Sequence, residues 1–418
     1  MCNALDVIFV GTLPPHPGGS AVSCAEFLPI LASMGHRIRA ITPTAPLRAS
    51  GQDPFRHPAI PVVTFDMPFY YMEPNVPPPD EYRERERVQV EAALLRAMGE
   101  RPADVILMGR ESFVTGVVPA ALRHGVPCVL RLAGSQIEAV AAGRFPPAIT
   151  CEFRRLLGGV DRVVAQAAHV RAVAQEFGCR ELITIPNAVD LQRFRPRRRS
   201  PALARELNLR GNAKIVMHAS NLKQVKRPLD VLLSAAAVCE QVPDAYYVIV
   251  GDGPLLGSMQ QLASEKALSA RVRFTGWVSH DRMPALLNLA DLVVMPSELE
   301  QQAGVYLETQ ACARVLLASD IPGAREVIED GVSGVLFRVR DAGDLARKTI
   351  ALLTDATLRA RIGRQARERV RRHEIHAVTR QHSEALLQAA ACRKPRRSPS
   401  AAISPRAADV DFAGCGLP

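Results

Sequence analysis

Short apolar runs alternate with amphipathic stretches along most of the chain, a pattern typical of parallel α/β folds. In the first half, the apolar runs predict buried strands and the stretches between them predict covering helices. The predicted strands are 7–11, 37–41, 62–65, 105–108, 128–132, 163–165 and 182–185. The predicted helices are 21–34, 81–98 and 112–124, the first with Ser20 as its N-cap.

The same rhythm starts again after a basic, Pro-containing linker at 197–201. The second half predicts strands at 214–218, 246–250, 272–275, 292–295, 315–318 and 335–337, and helices at 342–353, 356–372 and 374–391. With 418 residues, the chain is too long for one ordinary core and fits two α/β domains. We therefore predict two Rossmann-like, doubly wound domains that face each other across a cleft.

The stretch 292–334 contains the most informative pattern for function. Its first strand ends at Pro296-Ser297, and Glu300 and Glu308 follow with seven residues between them around a predicted helix start. Free N–H groups at a helix start can bind a diphosphate, and carboxylates can accept hydrogen bonds from sugar hydroxyls. The stretch therefore predicts a sugar-nucleotide pocket.

This succession of strand, Pro-Ser, Glu-x7-Glu and an apolar strand with Asp-Ile-Pro-Gly resembles the donor half of family 4 glycosyltransferases, which are retaining GT-B enzymes. The segment 185–196, IPNAVDLQRFRP, resembles the family's Pro-Asn-Gly-Val-Asp segment before the hinge, with Ala188 in place of Gly. The resemblance implies a GT-B fold with an acceptor domain at 1–195 and a donor domain at 196–391. Its last helix would pack back on the first domain, and the Pro-rich basic tail, 392–418, is expected to be disordered.

Donor-site residues are implied by matching positions in the family. Glu308 would bind the ribose hydroxyls and Glu300 a hydroxyl of the transferred sugar, and Lys226 would offset charge on the leaving diphosphate. Asn221 stands where the family usually has Arg, and Lys223 is expected to supply that cation, as in the bacillithiol-pathway members. The stretch 271–291 resembles the family's base-binding segment and implies Trp277 and Val278 as contacts of the base. The other implied donor contacts are Gly251, in a Gly-Asp-Gly-Pro motif like that of the family, and Gly19, Ala303, Gly304 and Val305.

The acceptor side departs further from the family pattern. Leu132 and Ala133 stand where a His-Gly pair is common, so no acceptor-binding His is expected there. Our candidate acceptor contacts are Gly18, Arg110, Glu111 and Ser135; for Arg110 and Glu111 the alternative is an ion pair at a strand end. In the donor half, Ala303 and Ala313 replace glycines of the family.

The resemblance implies transfer of a hexosyl unit from a nucleoside diphosphate sugar, with UDP or GDP as nucleotide, to a hydroxyl acceptor. It also implies retention by front-face displacement, with no metal and no cofactor. Two other readings stay open. The chain could be a UDP-sugar 2-epimerase-like isomerase, or a non-catalytic partner subunit of the same fold.

Composition narrows the partners. The net charge of +10 is matched by five arginines in 193–199 and five basic residues in 393–406, so no basic nucleic-acid-binding face is predicted. These segments allow weak peripheral contact with an anionic membrane surface. The segment 43–79 is rich in Pro and aromatics and is expected at the cleft mouth; recognition by a partner protein is the alternative. Nine cysteines without a C-x-x-C pair and an N-terminus without a signal pattern predict a cytoplasmic protein.

Overall fold

In the computed structural model, residues 4–16, 18–44, 54–68, 80–133, 136–179 and 181–392 are described. Within these residues the chain forms two parallel sheets, one in each half, with helices on both faces. The fold is therefore the predicted GT-B arrangement of two Rossmann-like domains.

The first sheet has seven strands among the described residues, in the order β3-β2-β1-β4-β5-β6-β7. Its central strands are buried along their whole length, because helices cover both faces, and their side chains are mostly apolar, with Asp6 and Arg131 as buried exceptions. The strands are β1 Asp6–Val10, β2 Arg37–Thr44, β3 Val62–Pro68, β4 Val105–Met108, β5 Cys128–Leu132, β6 Arg162–Ala165 and β7 Leu182–Thr184. The helices are α1 Gly19–Ser33, α2 Asp80–Glu100, α3 Val114–His124, α4 Gln136–Ala141, α5 Pro147–Leu157 and α6 Ala168–Glu176.

The second sheet has six strands in the described part of the chain, in the order β10-β9-β8-β11-β12-β13. The strands are β8 Lys214–Ala219, β9 Ala245–Val250, β10 Val272–Gly276, β11 Leu292–Met295, β12 Val315–Ser319 and β13 Val335–Phe337. The helices are α7 Pro201–Glu206, α8 Pro228–Gln241, α9 Leu256–Glu265, α10 Met283–Leu289, α11 Gly304–Ala311, α12 Pro322–Arg325, α13 Ala342–Thr354, α14 Ala356–Arg369 and α15 Ile375–Ala391. Strand order reverses between β8 and β11, and such a switch point opens a crevice at the carboxyl ends of the strands.

The last helix, α15, packs against the first domain. Val378, Ala385, Leu386 and Ala389 belong to the same apolar cluster as side chains of β1 and α1. His36 Nε2 also lies 2.7 Å from Ser383 Oγ. The chain therefore crosses back from the second domain to the first after α14.

The predicted strands are all present, with ends shifted by at most three residues. The predicted N-cap of the first helix is wrong, because α1 starts at Gly19 and Gly18 is its N-cap, with φ 114°. Glycine is favoured at this backbone angle, and Ser20 lies inside the first turn. Much of the segment 43–79, Ser135 and the tail 393–418 lie outside the described residues. No described helix is long and apolar enough to cross a membrane.

Candidate functional site

Two loops meet at the switch point of the second sheet. One loop follows β8 and carries Lys226; the other follows β11 and carries Glu300. Lys226 Nζ lies 2.6 Å from Glu300 Oε1, and Ser297 Oγ donates to the same oxygen at 2.9 Å. The two side chains are largely buried, with 21% and 9% exposed. A cation and a carboxylate, predicted separately, are thus held together at the edge of the crevice.

A buried histidine, His218, holds the loop that follows β8 in place through hydrogen bonds. His218 Nδ1 lies 2.9 Å from the Val294 carbonyl, which can only accept, so Nδ1 carries the proton. Its Nε2 then accepts from Ser220 Oγ at 2.8 Å, and Ser220 Oγ accepts from the Leu222 N–H. Burial lowers the pKa of His218 to about 4, so the imidazole stays neutral near pH 7. This network fixes the turn that leads to Lys226.

The loop after β9 lies against the same turn because its glycines lack side chains. A Cβ at Gly251, where φ is 121°, would lie 1.9 Å from the Ser220 carbonyl oxygen. A Cβ at Gly253 would lie 2.1 Å from the Asn221 carbonyl oxygen. The Gly-Asp-Gly-Pro motif at 251–254, which resembles that of the family, thus packs its backbone closely against the loop that follows β8 and carries Lys226, here called the lysine loop.

Helix α11 begins between the two predicted carboxylates. Ala303 is its N-cap, with φ −67°, so this position does not require the glycine of the family pattern. No side chain among the described residues caps the helix, and the Tyr306 N–H bonds the Ala303 carbonyl, so the N–H groups of Gly304 and Val305 are the ones that could face a ligand. Glu308 lies one turn further, its Oε1 3.7 Å from the Cβ position of Gly304. Val305 is half-buried at the same end.

A second ion-pair group borders the lysine loop and was not predicted. Arg227 adopts a left-handed conformation, with φ 46°, and its side chain binds Asp230 at 2.6 Å and Glu298 at 2.7 Å. Arg340 binds the same Glu298 oxygen, and hydrogen bonds from these two arginines lower the pKa of Glu298. Lys223 caps the one-turn 3-10 helix that contains Lys226 and is half-buried.

The predicted base-binding residues follow β10. Trp277 and Val278 are half-buried, and Val278 packs against the core of the second domain. The Gly276 carbonyl accepts a hydrogen bond from Gly251 N–H at 2.9 Å, which joins this stretch to the glycine loop. This hydrogen bond places Trp277 and Val278, the predicted contacts of the base, beside the loop that follows β9.

On the first domain, Gly18 and the exposed Gly19 form the start of α1. Glu111 is 1% exposed, and its Oε1 accepts from the backbone N–H of Gln136, the first residue of α4. This contact supports a structural role for Glu111 over direct binding of an acceptor. Arg110 is half-buried at the end of β4, and Ser135 is not described.

Contacts across the cleft join the two domains. Asn187, in the segment before the hinge, donates from Nδ2 to the Gln302 carbonyl at 3.2 Å and accepts from Ser23 Oγ on α1. His280, just after β10, lies between Glu308 of the second domain and Glu26 of the first. The sequence reasoning missed Glu26 and His280, although His280 lies within the stretch that resembles the family's base-binding segment. Among the described residues, no group of three or more His, Cys, Asp or Glu side chains could hold a metal ion.

Ala313, where the family commonly has Gly, adopts a left-handed conformation with φ 54° just after α11. Because alanine is strained there, Ala313→Gly should raise the free energy of unfolding by about 0.5–1 kcal/mol. Chemical denaturation measures this change. As a control, Ala351→Gly on the exposed face of α13 should lower it by about 1 kcal/mol. If both substitutions lowered the free energy of unfolding by the same amount, the backbone angle φ at Ala313 would carry no strain.

Comparisons with known proteins bear on the family and the fold of the chain. Residues 17–193 match the model described as Glycosyltransferase Family 4, and residues 200–369 match Glycosyl transferases group 1. The N-acetyl-alpha-D-glucosaminyl L-malate synthase of Bacillus anthracis is 29% identical over 86% of this chain and 91% of its own length. The D-inositol 3-phosphate glycosyltransferase of Salinispora tropica is 31% identical over 75% of this chain and 70% of its own. HepE of Anabaena, solved with UDP and glucose, aligns with TM-score 0.74 and 20% identity over 92% of this chain and 99% of that one.

Proposed function

The chain belongs to the family 4 glycosyltransferases, and we propose that it moves a hexosyl unit from a UDP sugar to a hydroxyl acceptor with retention and without a metal ion. That it transfers a sugar from a nucleotide sugar follows from the family matches over both halves. The observation that carries the finer proposal is the Lys226–Glu300 pair at the switch point.

The Lys226–Glu300 pair can bind the leaving diphosphate and a hydroxyl of the transferred sugar at the same place. The Lys226 ammonium has three N–H donors, so it can keep its contact with Glu300 and still donate to a diphosphate oxygen. Glu300 can in turn accept from a sugar hydroxyl. The charge of the leaving group would be met by Lys226 and by the N–H groups that start α11, in place of a metal ion.

Family membership supports retention, since the family 4 group is retaining. In a front-face displacement, the glycosidic bond to the diphosphate breaks as the acceptor oxygen bonds to the anomeric carbon on the same face. The acceptor proton passes to the leaving phosphate oxygen, so the step needs no carboxylate nucleophile. An NMR measurement of the anomeric configuration of the product tests this proposal.

UDP is the nucleotide we expect, because HepE, which has the same fold, binds it. A UDP sugar should raise the melting midpoint, since a ligand at about a hundred times its Kd stabilises the folded state by about 2.7 kcal/mol. The thermal shift should be the same with EDTA present. Glu308→Ala should abolish most of the thermal shift, because it removes the carboxylate proposed to bind the ribose hydroxyls.

Thermal shifts measured with UDP, GDP and ADP sugars identify which nucleotide the site prefers. A larger shift with a GDP sugar would change the nucleotide but keep the site. A shift that needs added Mg²⁺ would overturn metal independence. If none of the panel shifts the wild type, the partner-subunit reading replaces transfer.

A further inference from the structure

His280 connects the predicted ribose carboxylate to the opposite domain. It starts the one-turn 3-10 helix His280–Arg282 between β10 and α10. Its Nε2 lies 2.8 Å from Glu308 Oε1, and its Nδ1 lies 3.2 Å from Glu26 Oε1 on α1. One imidazole thus bridges carboxylates from the two domains that enclose the cleft.

The bridge requires a protonated ring. Ionised carboxylates only accept hydrogen bonds, so both ring nitrogens of His280 must donate. Burial on its own would lower the pKa of His280, but hydrogen bonds to Glu26 and Glu308 and their charges outweigh it and raise the pKa to about 9. The imidazolium therefore persists at neutral pH.

The surroundings of His280 hold this arrangement in place. Arg193, from the segment before the hinge, donates to the same Glu26 oxygen at 3.1 Å and to Asp281 at 3.0 Å. The Phe194 ring packs against the imidazole, with 5.3 Å between ring centroids. The charged groups around the ring are thus Glu26 from α1, Glu308 from α11, Arg193 from the segment before the hinge and Asp281 from its own turn.

We propose that His280 is a positioning residue that orients the Glu308 carboxylate for the ribose hydroxyls and, through Glu26, couples that orientation to closure of the two domains. The inference rests on the proposed function, in which Glu308 binds ribose. The bond from His280 uses one lone pair of Oε1, so the carboxylate keeps its other acceptor positions for the diol. When the domains separate, His280 loses Glu26 and the carboxylate loses part of its support.

The test compares UDP with 2′-deoxy-UDP by calorimetric titration. Wild type should bind UDP about tenfold more tightly than 2′-deoxy-UDP, because the missing hydroxyl leaves a charged acceptor without its bond. His280→Gln can reach only one carboxylate at a time, so its preference for UDP should fall to about threefold or less. A merely structural role would weaken both nucleotides equally and leave their ratio unchanged.

Glu26→Gln supplies a second readout, in case His280→Gln folds poorly. Wild-type affinity for UDP should fall as pH rises through about 9, where His280 loses its proton. Removing the Glu26 charge lowers the pKa of His280, so the fall in affinity for UDP should occur at lower pH in this variant. Glu368→Gln, the same change of charge at an exposed residue of α14 that pairs with Arg371, should keep the wild-type ratio and pH profile.

The outcomes separate the two hypotheses. If wild type binds neither UDP nor GDP, the proposed function fails, and this inference fails with it. If wild type discriminates against the deoxynucleotide and His280→Gln discriminates equally, or if Glu26→Gln leaves the pH profile in place, only the role of His280 is overturned.

Discussion

Lys226→Ala should lower kcat by about a hundredfold or more, because it removes a donor from the charge that develops on the leaving diphosphate. The variant also leaves Glu300, only 9% exposed, without its cation. Part of the loss would therefore come from a displaced carboxylate. Steady-state kinetics with a saturating UDP sugar measures the effect, and a thermal melt confirms that the variant is folded.

Lys214→Ala is the matched control. Lys214 starts β8, at the opposite end of the strand from the lysine loop, and pairs with Asp244 at 3.6 Å. It carries the same charge on the same domain, so a general electrostatic effect would lower kcat in both variants. A kcat within a few-fold of wild type in Lys226→Ala would remove this lysine from the chemistry.

Much of the fold could be predicted from the sequence because its signals are local. Buried parallel strands require continuous apolar runs, as in 105–108 and 292–295, and these runs stand out between polar stretches. The positions of Glu300 and Glu308 relative to a helix start depend only on neighbouring residues. Their placement at the carboxyl end of β11 therefore followed from the pattern.

Contacts between distant segments could not be predicted in the same way. The Lys226–Glu300 pair depends on β8 and β11 being neighbours, which the strand order decides. The His280 bridge depends on how closely the two domains approach, and nothing around Glu26 in the sequence indicates its partner. The start of α1 was mispredicted because the choice between Gly18 and Ser20 as N-cap depends on a backbone angle.

Gly323 shows how a distant motif supports the site. It ends the Asp-Ile-Pro-Gly sequence and lies in α12, where its backbone angles suit any residue. A Cβ at this position would lie 1.9 Å from the Glu300 carbonyl oxygen and 2.5 Å from that of Gln301. The loop that carries Glu300 thus rests directly on the backbone of α12, and only glycine permits that approach.

Gly323→Ala should therefore lower the free energy of unfolding by about 2 kcal/mol, since backbone atoms must move to admit one methyl group. It should also lower kcat by about a hundredfold, because a shift of about 1 Å in the loop displaces Glu300 from Lys226 and from the sugar. Denaturant unfolding and steady-state kinetics measure the two effects on the same preparation.

Gly257→Ala provides the comparison, because Gly257 lies in α9 and, its own helix backbone and chain neighbours aside, no atom of the described residues lies within 4 Å of its Cβ position. That variant should match or slightly exceed wild type in stability, since alanine is the better helix former, and should keep its kcat. Loss of stability without loss of kcat in Gly323→Ala would show that the Glu300 loop tolerates displacement. The glycine would then serve the packing of α12 alone, and Glu300 would not need the position that the structure gives it.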